Sequence, residues 1–281
     1  MYFGGWYFDP FYMWIFVITL LISIVTQGYL RSAYGKWSKV KNSAGLNGAQ
    51  VGQRIIQQTH LGEVSKKSQV LVATPELRKL ETLRDQGIIT PDEYRQKEHQ
   101  IHSEQSQVVK SSIKFARTPG QMTDNYDPRS HTVRMSDGVS TQPSVASMAI
   151  VAHELGHAQQ HENNSFLITM RNLLVPAVNF SSPLSYIFIF FGFFFNISGL
   201  IAIGILFFAI MVLFTIVTLP VEFDASRRGL KLLNQSGLMR TEADEKGSQQ
   251  VLRAAALTYV AAAVNAVLTL LYYLRLAGRR R

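Results

Sequence analysis

The chain contains no cysteine. Disulfides are excluded, and any metal ion must be held by His, Asp or Glu. Charge is also scarce: 17% of the 281 residues are charged, against 47% that are hydrophobic. That is lean for a soluble chain of a length that fills one or two domains. The scarcity is concentrated. No charged residue falls between Asp9 and Arg31, and none from Asn172 through Val221. A third charge-free stretch, Ala254 to Leu274, is rich in alanine. The net charge of +9 comes with no nucleic-acid motif, so no nucleic-acid partner is expected.

About 20 apolar residues cross the hydrocarbon of a bilayer as a helix. Phe11 to Thr26 supplies one span, and Trp6, Tyr7 and Trp14 resemble an interfacial belt. No Lys or Arg precedes it and no small-residue cleavage site follows, so residues 1–30 read as an uncleaved anchor. The run from Asn172 to Val221 is too long for one span. Asn196-Ile197-Ser198-Gly199 interrupts it, which makes residues 173–221 a helical hairpin of Leu173 to Phe195 and Leu200 to Leu219. Ala254 to Leu274 is either a fourth span or a packing helix whose small residues admit a close neighbour.

The expectation is a multi-pass protein of the cell membrane. Between the first span and the hairpin lie 18 Lys or Arg, and 6 lie between the hairpin and the fourth segment. The N-terminal tail and the hairpin tip have none. Both basic loops are therefore expected in the cytoplasm. The tail Arg279-Arg280-Arg281 does not fit this pattern if the fourth segment crosses.

Residues 31–62 read as an amphipathic helical segment, with Val51, Ile55 and Ile56 at helical spacing. Residues 63–112 read as an insert, a helical hairpin between polar linkers. Pro75 opens a helix carrying Leu77, Leu80 and Leu83, and Gly87 ends it. Thr90-Pro91-Asp92-Glu93 has the form of a capping box, and a second helix runs on through Tyr94 and Ile101. The stretch ELRKLETLRDQGIITPDEYRQKEHQI resembles the short helical-hairpin domain called SHOCT, which usually ends a chain but here is internal. The resemblance implies a module over residues 75–101 for a protein partner or for self-association. Farther on, Asp127-Pro128-Arg129 is turn chemistry and Thr132 to Met135 alternates, which predicts a short β-hairpin in the cytoplasmic part.

Residues 113–172 carry the chemistry. Ser144 to Glu162 reads as a buried helix holding His153-Glu154-Leu155-Gly156-His157. Residues four apart share a helix face, so two imidazoles there can grip one zinc ion. Glu154 is placed beside the first ligand, where it can take a proton from a zinc-bound water and return it to the leaving amine. The third ligand must come from elsewhere. His161 continues the spacing, but Gln159 and Gln160 stand where a metzincin would turn on glycine. His60, His99, His102 and His131 are isolated in polar stretches and read as solvated. Glu222 is the better candidate, with Asp224 as runner-up. It follows directly on the membrane hairpin, and two spans return the chain to the side of His153.

The segments YDPRSHTVRMSDGV, SVASMAIVAHELGHAQQH, TLPVEFDASRRG and VLRAAALTYVAAAVNAVL resemble those of the YugP-like family of neutral zinc metallopeptidases. The resemblance covers most of the chain outside residues 63–112. It implies a multi-pass membrane enzyme with His153, His157 and Glu222 on zinc. The more distantly similar HtpX-like membrane proteases have an aspartate four residues after the third-ligand glutamate. Here that position is Ser226, and the acid is Asp224.

The expected fold is mainly α: a multi-pass membrane scaffold with a zincin-type HExxH helix, with residues 222–281 supplying the third-ligand segment and the fourth membrane helix. The expected function is a zinc-dependent endopeptidase with one zinc per chain. It would hydrolyse membrane or membrane-associated polypeptides through a zinc-bound water activated by Glu154. The alternative is a non-catalytic membrane scaffold with a structural zinc and a partner-recruiting hairpin. For an oxyanion stabiliser, Arg227, Arg228 and Tyr259 stand as candidates.

Overall fold

The computed structural model describes residues 10–59, 61, 75–86, 88–97 and 113–278. Trp6, Tyr7, His60, Gly87, His99, Ile101, His102, Arg279-Arg280-Arg281 and the linkers flanking the insert lie outside the described residues. The chain divides into two units: residues 1–59 with 114–281, and residues 60–113. In chain order the elements are α1 Pro10–Trp37, α2 Gly48–Thr59, α3 Pro75–Asp85, α4 (residues 91–97), β1 Lys114–Thr118, β2 Asn125–Asp127, β3 Thr132–Ser136, α5 Asp137–Thr141, α6 Val145–Glu162, α7 Phe166–Phe194, α8 Ser198–Gln235 and α9 Glu242–Gly278.

The larger unit is mainly helical with one small sheet. Four helices, α1, α7, α8 and α9, are long and apolar enough to cross a membrane. They expose large apolar side chains such as Trp14, Leu173, Phe190 and Phe194, a surface suited to lipid rather than water. α7 and α8 form a hairpin that turns at residues 195–197, with Asn196 at φ 55°. The turn comes slightly earlier than the sequence pattern suggests, because Ser198 already begins α8. Glycines bring the two helices together. A Cβ on Gly204 would lie 2.8 Å from the Ile189 amide nitrogen. Ile189, Ile201, Ile205, Phe208 and Val212 fill the seam, joined by Ala266 of α9.

α8 has 38 residues. At 1.5 Å per residue it is about 57 Å long, nearly twice the hydrocarbon thickness of about 30 Å. The helix therefore does not end at Leu219. Pro220 lies within it, removing one backbone hydrogen bond without stopping it. The stretch carrying Glu222 is thus the continuation of a candidate span rather than a new segment. α9 likewise begins at Glu242, well before Ala254. α1 continues past Arg31 to Trp37. α2 is amphipathic as expected, with Val51 and Ile55 fully buried and Ile56 partly so.

The sheet has strand order β1-β3-β2. β2 and β3 form the expected antiparallel hairpin, with Tyr126 opposite Val133. Asp127 fixes the turn, accepting from the Arg129 amide at 3.0 Å, the Ser130 hydroxyl at 2.8 Å and Arg134 at 2.8 Å. β1 was not anticipated. It pairs parallel to β3, Lys114 with Thr132 through Thr118 with Ser136. Its sequence, Lys-Phe-Ala-Arg-Thr, lacks the alternation that marks a strand, so only the partner strand specifies it.

In the smaller unit, α3 and α4 bury Leu80 and Tyr94, and the Arg84 guanidinium lies 4.9 Å from the Tyr94 ring centre. The capping box is formed. The Thr90 amide donates to Glu93 Oε2 at 2.9 Å, and the Glu93 amide donates to Thr90 Oγ1 at 3.3 Å.

Candidate metal centre

Ser144 caps α6 by accepting from the Ser147 amide at 3.1 Å. Val145, Met148, Val151, Ala152, Leu155 and Ala158 are all fully buried, so the helix lies in the interior, packed on α8 and α9. The crossing of α6 and α8 is built on glycine. A Cβ on Gly156 would run into the Ala225 carbonyl oxygen, and one on Gly229 would come within 2.8 Å of Ala152 O. Glu222, Ala225 and Gly229 fall on one face of α8, at spacings of three and four. Close backbone approach at the last two carries the short Glu222 side chain to the histidines of α6.

His153, His157 and Glu222 converge, with one donor atom from each lying within 4.8 Å of the others. Glu222 Oε2 is 3.4 Å from His153 Nε2 and 3.5 Å from His157 Nε2. These separations are too long for good hydrogen bonds, and Oε2 is buried with no hydrogen-bond partner. An oxygen left so costs about 1–3 kcal/mol.

The surrounding bonds explain the arrangement. Gln160, fully buried, donates from Nε2 to Val221 O at 2.9 Å and to Asp224 Oδ2 at 2.8 Å. Its Oε1 must then accept from His157 Nδ1, 3.1 Å away. That places the imidazole proton on Nδ1 and leaves the Nε2 lone pair facing a carboxylate oxygen. Two acceptors meet, and a cation between them resolves the conflict. Two imidazoles and a carboxylate, with no thiolate, suit zinc. A proton competes for the same place. Burial pulls the His157 imidazole down, but Glu222 and Glu154 more than reverse this, so it lies above its ordinary value.

Ser226 occupies the place where HtpX-like proteases carry an aspartate. Its hydroxyl lies 3.2 Å from His153 Nδ1. Asp224 acts at one remove, holding Gln160, which holds His157. Asp224 in turn takes Arg228 Nε at 2.7 Å, and Arg228 reaches Gln159 Oε1 at 3.3 Å. Arg228 is thereby committed to this network, and Arg227 is exposed. Neither lines the cavity at the metal group, whereas Tyr259 does.

That cavity measures about 170 Å³ and is walled in part by Tyr126, Ile168, Arg171, Asn172 and Tyr259. Glu154 lies within it and is buried, which pushes its carboxyl above the ordinary range against the pull of His153 and His157. Asp124 is also raised by burial, although the Ser136 amide donates to it at 2.7 Å and opposes the shift. His161 reaches the cavity wall but is not in the metal group. Its ring centre lies 5.5 Å from His131 and 6.3 Å from Tyr126. His131 is not simply solvated: its Nδ1 meets the Tyr126 hydroxyl at 3.1 Å. Sequence reasoning missed Gln160, Arg171 and Asp124. Gln160 had a signal, since it stands three residues after His157 on the same helix face.

The chain belongs to the family described as putative neutral zinc metallopeptidase, whose model matches residues 12–70 and 104–278. The model of the short C-terminal domain SHOCT matches residues 76–101. The chain is similar to the putative membrane protease YugP of Bacillus subtilis (strain 168), with 29% identity over 262 residues, 93% of this chain and 94% of that protein. No solved structure matches.

Proposed function

From that family membership we propose that the chain is a zinc-dependent endopeptidase of the membrane. His153, His157 and Glu222 would hold one zinc ion, and Glu154 would be the general base. The observation that carries the reading is the buried, unpartnered Glu222 Oε2 facing two imidazole Nε2 atoms, with Glu154 in the same cavity. Bound there, zinc supplies Lewis acidity, polarising a carbonyl and bringing the pKa of a water towards neutrality. Glu154 takes a proton and delivers it to the leaving amine, a task its raised carboxyl suits. Tyr259 is the donor for charge that develops on the carbonyl oxygen. β2, an edge strand among the described residues, lines the cavity through Asn125 and Tyr126 and offers its outer edge to an extended substrate.

The substrates on this reading are membrane or membrane-associated polypeptides. The active site faces the cytoplasm, because both basic loops carry it and two spans separate His153 from Glu222. The hairpin of residues 75–101 serves a protein partner or self-association. A non-catalytic scaffold with structural zinc fits less well, since a closed site calls for a fourth protein ligand and the cluster holds three among the described residues.

Replacing Glu154 decides between the two readings. Glu154→Gln is expected to keep stoichiometric zinc while cleavage of casein or a membrane-protein substrate falls by about 10²–10⁴. Undiminished cleavage would remove Glu154 as base. A zinc-loaded wild-type protein that cleaves nothing would favour the scaffold. Because the chain has no cysteine, one introduced at the exposed Asn163 reports the side directly, and labelling from outside the cell would refute the cytoplasmic assignment.

A further inference from the structure

A second cavity, of about 200 Å³, adjoins the first. The two share four residues: Asp124, His153, Glu154 and Tyr259. Beyond these their walls differ. The second is lined by Leu30 of α1, Met122, Ile150 of α6, and Val251, Leu252 and Ala255 of α9. The first is lined by Asn125, Tyr126, His161, Arg171 and Asn172.

The positions along α6 order the two. Ile150 lies in the second cavity alone, His153 in both, and His157 and His161 in the first alone. The two therefore lie one after the other along α6, meeting at His153 and Glu154. From Ile150 to His161 the helix rises about 16 Å, enough for about five residues of extended peptide. A cavity of about 150 Å³ with aliphatic walls can hold a benzene molecule. The second cavity is larger than this, so a leucine or phenylalanine side chain fits. On the other arm, Arg171 is the one Lys or Arg lining either cavity among the described residues. Its Nε is buried without a hydrogen-bond partner.

We propose that the two cavities act as one cleft that reads its substrate on both sides of the scissile bond: the cavity between α1 and α9 takes a large aliphatic or aromatic side chain, and Arg171 takes a carboxylate on the α7 side. The inference rests on the endopeptidase reading of the same site. Such a substrate is an amphipathic stretch in which apolar sequence gives way to acidic sequence. The apolar arm is lined in part by α1 and α9, two helices able to cross the membrane. The carboxylate is either an acidic side chain or a free chain end.

The test uses full-length, zinc-loaded protein in nanodiscs with fluorogenic peptides whose residues on each side of the cleaved bond are varied. With both ends capped, kcat/KM is expected to be at least about tenfold higher for Leu or Phe than for Ala on one side. It should also be several-fold higher for Glu than for Gln on the other. Ala255→Phe fills the apolar arm and should bring the Leu-to-Ala ratio close to one. Arg171→Gln should abolish the Glu preference, and Arg171→Lys should keep part of it. If the capped peptides show no Glu preference, but leaving the C-terminus free raises kcat/KM in the wild type and not in Arg171→Gln, the carboxylate is the chain end. Because each readout is a ratio within one variant, partial misfolding does not imitate it. Unchanged ratios in Ala255→Phe and Arg171→Gln would overturn the proposal. Fluorescence anisotropy of the same peptides on Glu154→Gln separates the two failures. Absent cleavage with selective binding sinks the hydrolase alone, while binding without selectivity sinks the bipolar cleft.

Discussion

The crossing of α6 and α8 and the hairpin of α3 and α4 are both helix pairs, yet they are specified in opposite ways. The hairpin is written locally. Its cap joins Thr90 to Glu93, and its signals lie within a few residues of one another. The crossing is written at long range. Gly156 meets Ala225, Gly229 meets Ala152, and Gln160 reaches Val221 and Asp224. A local device can be lost with local consequences. At the crossing, the same few contacts set the helix separation and place the metal group, so one change there propagates to chemistry.

The largest expected effect is at Glu222. Glu222→Ala removes the group that joins α8 to the histidines, and zinc measured by mass spectrometry should fall from one per chain to near zero. Full occupancy would pass the ligand role to Asp224 and undo the comparison, because α8 would then hold the site from a different face. Gly156→Ala comes next. The new Cβ meets backbone rather than a movable side chain, so the helices must part. Such overpacking costs about 1–3 kcal/mol, read as a lower midpoint in thermal or denaturant unfolding. Zinc affinity should drop with it, because the Glu222 oxygen withdraws from the imidazoles. A stable protein with unaltered zinc binding would show that the crossing has slack. Gln160→Leu is milder. It keeps volume but frees the His157 ring, and zinc affinity should weaken by about 10–100-fold in competition titrations. No change in affinity would mean that Gln160 fills space without orienting the ring.

The same contrast explains what was legible in the sequence. His153, Glu154 and His157 lie in one motif, and counting spans returns both Glu222 and Asp224 to their side; the resemblance singled out Glu222, and it is Glu222 that the fold brings to the two histidines. The capping box at Thr90 was equally plain. Asp124 was not: it precedes a strand of three residues and reaches the site through the register of β2 with β3, which no periodicity announces. Arg171 sits at the head of a charge-free run, where it reads as an interfacial charge rather than a cavity wall. Ser226 was marked as a departure from an aspartate, and its hydroxyl meets His153 all the same. β1 was hidden because its pairing, not its own residues, makes it a strand. The apolar run bounds the span at Leu219, while packing against α6 and α9 carries α8 through Pro220 to Gln235.

The smallest expected effect lies in the hairpin. Thr90→Ala removes the hydroxyl that accepts from the Glu93 amide. Loss of such a cap costs about 1 kcal/mol. The loss should stay local, because none of the three candidate metal ligands belongs to residues 60–113. Amide hydrogen exchange should quicken over residues 90–97, while zinc content and peptide cleavage keep their wild-type values. Acid should mimic the substitution. The Thr90 amide and hydroxyl hold the Glu93 carboxyl below its ordinary range. The carboxylate's contribution is therefore fully present above the unfolded glutamate value and is lost as pH falls through the lowered folded one. Exchange over residues 90–97, corrected for its intrinsic pH dependence, should quicken across that window in the wild type and change less in Thr90→Ala. If Thr90→Ala instead stripped the metal, the hairpin would be part of the site's construction, and the division into a local and a long-range helix pair would fail.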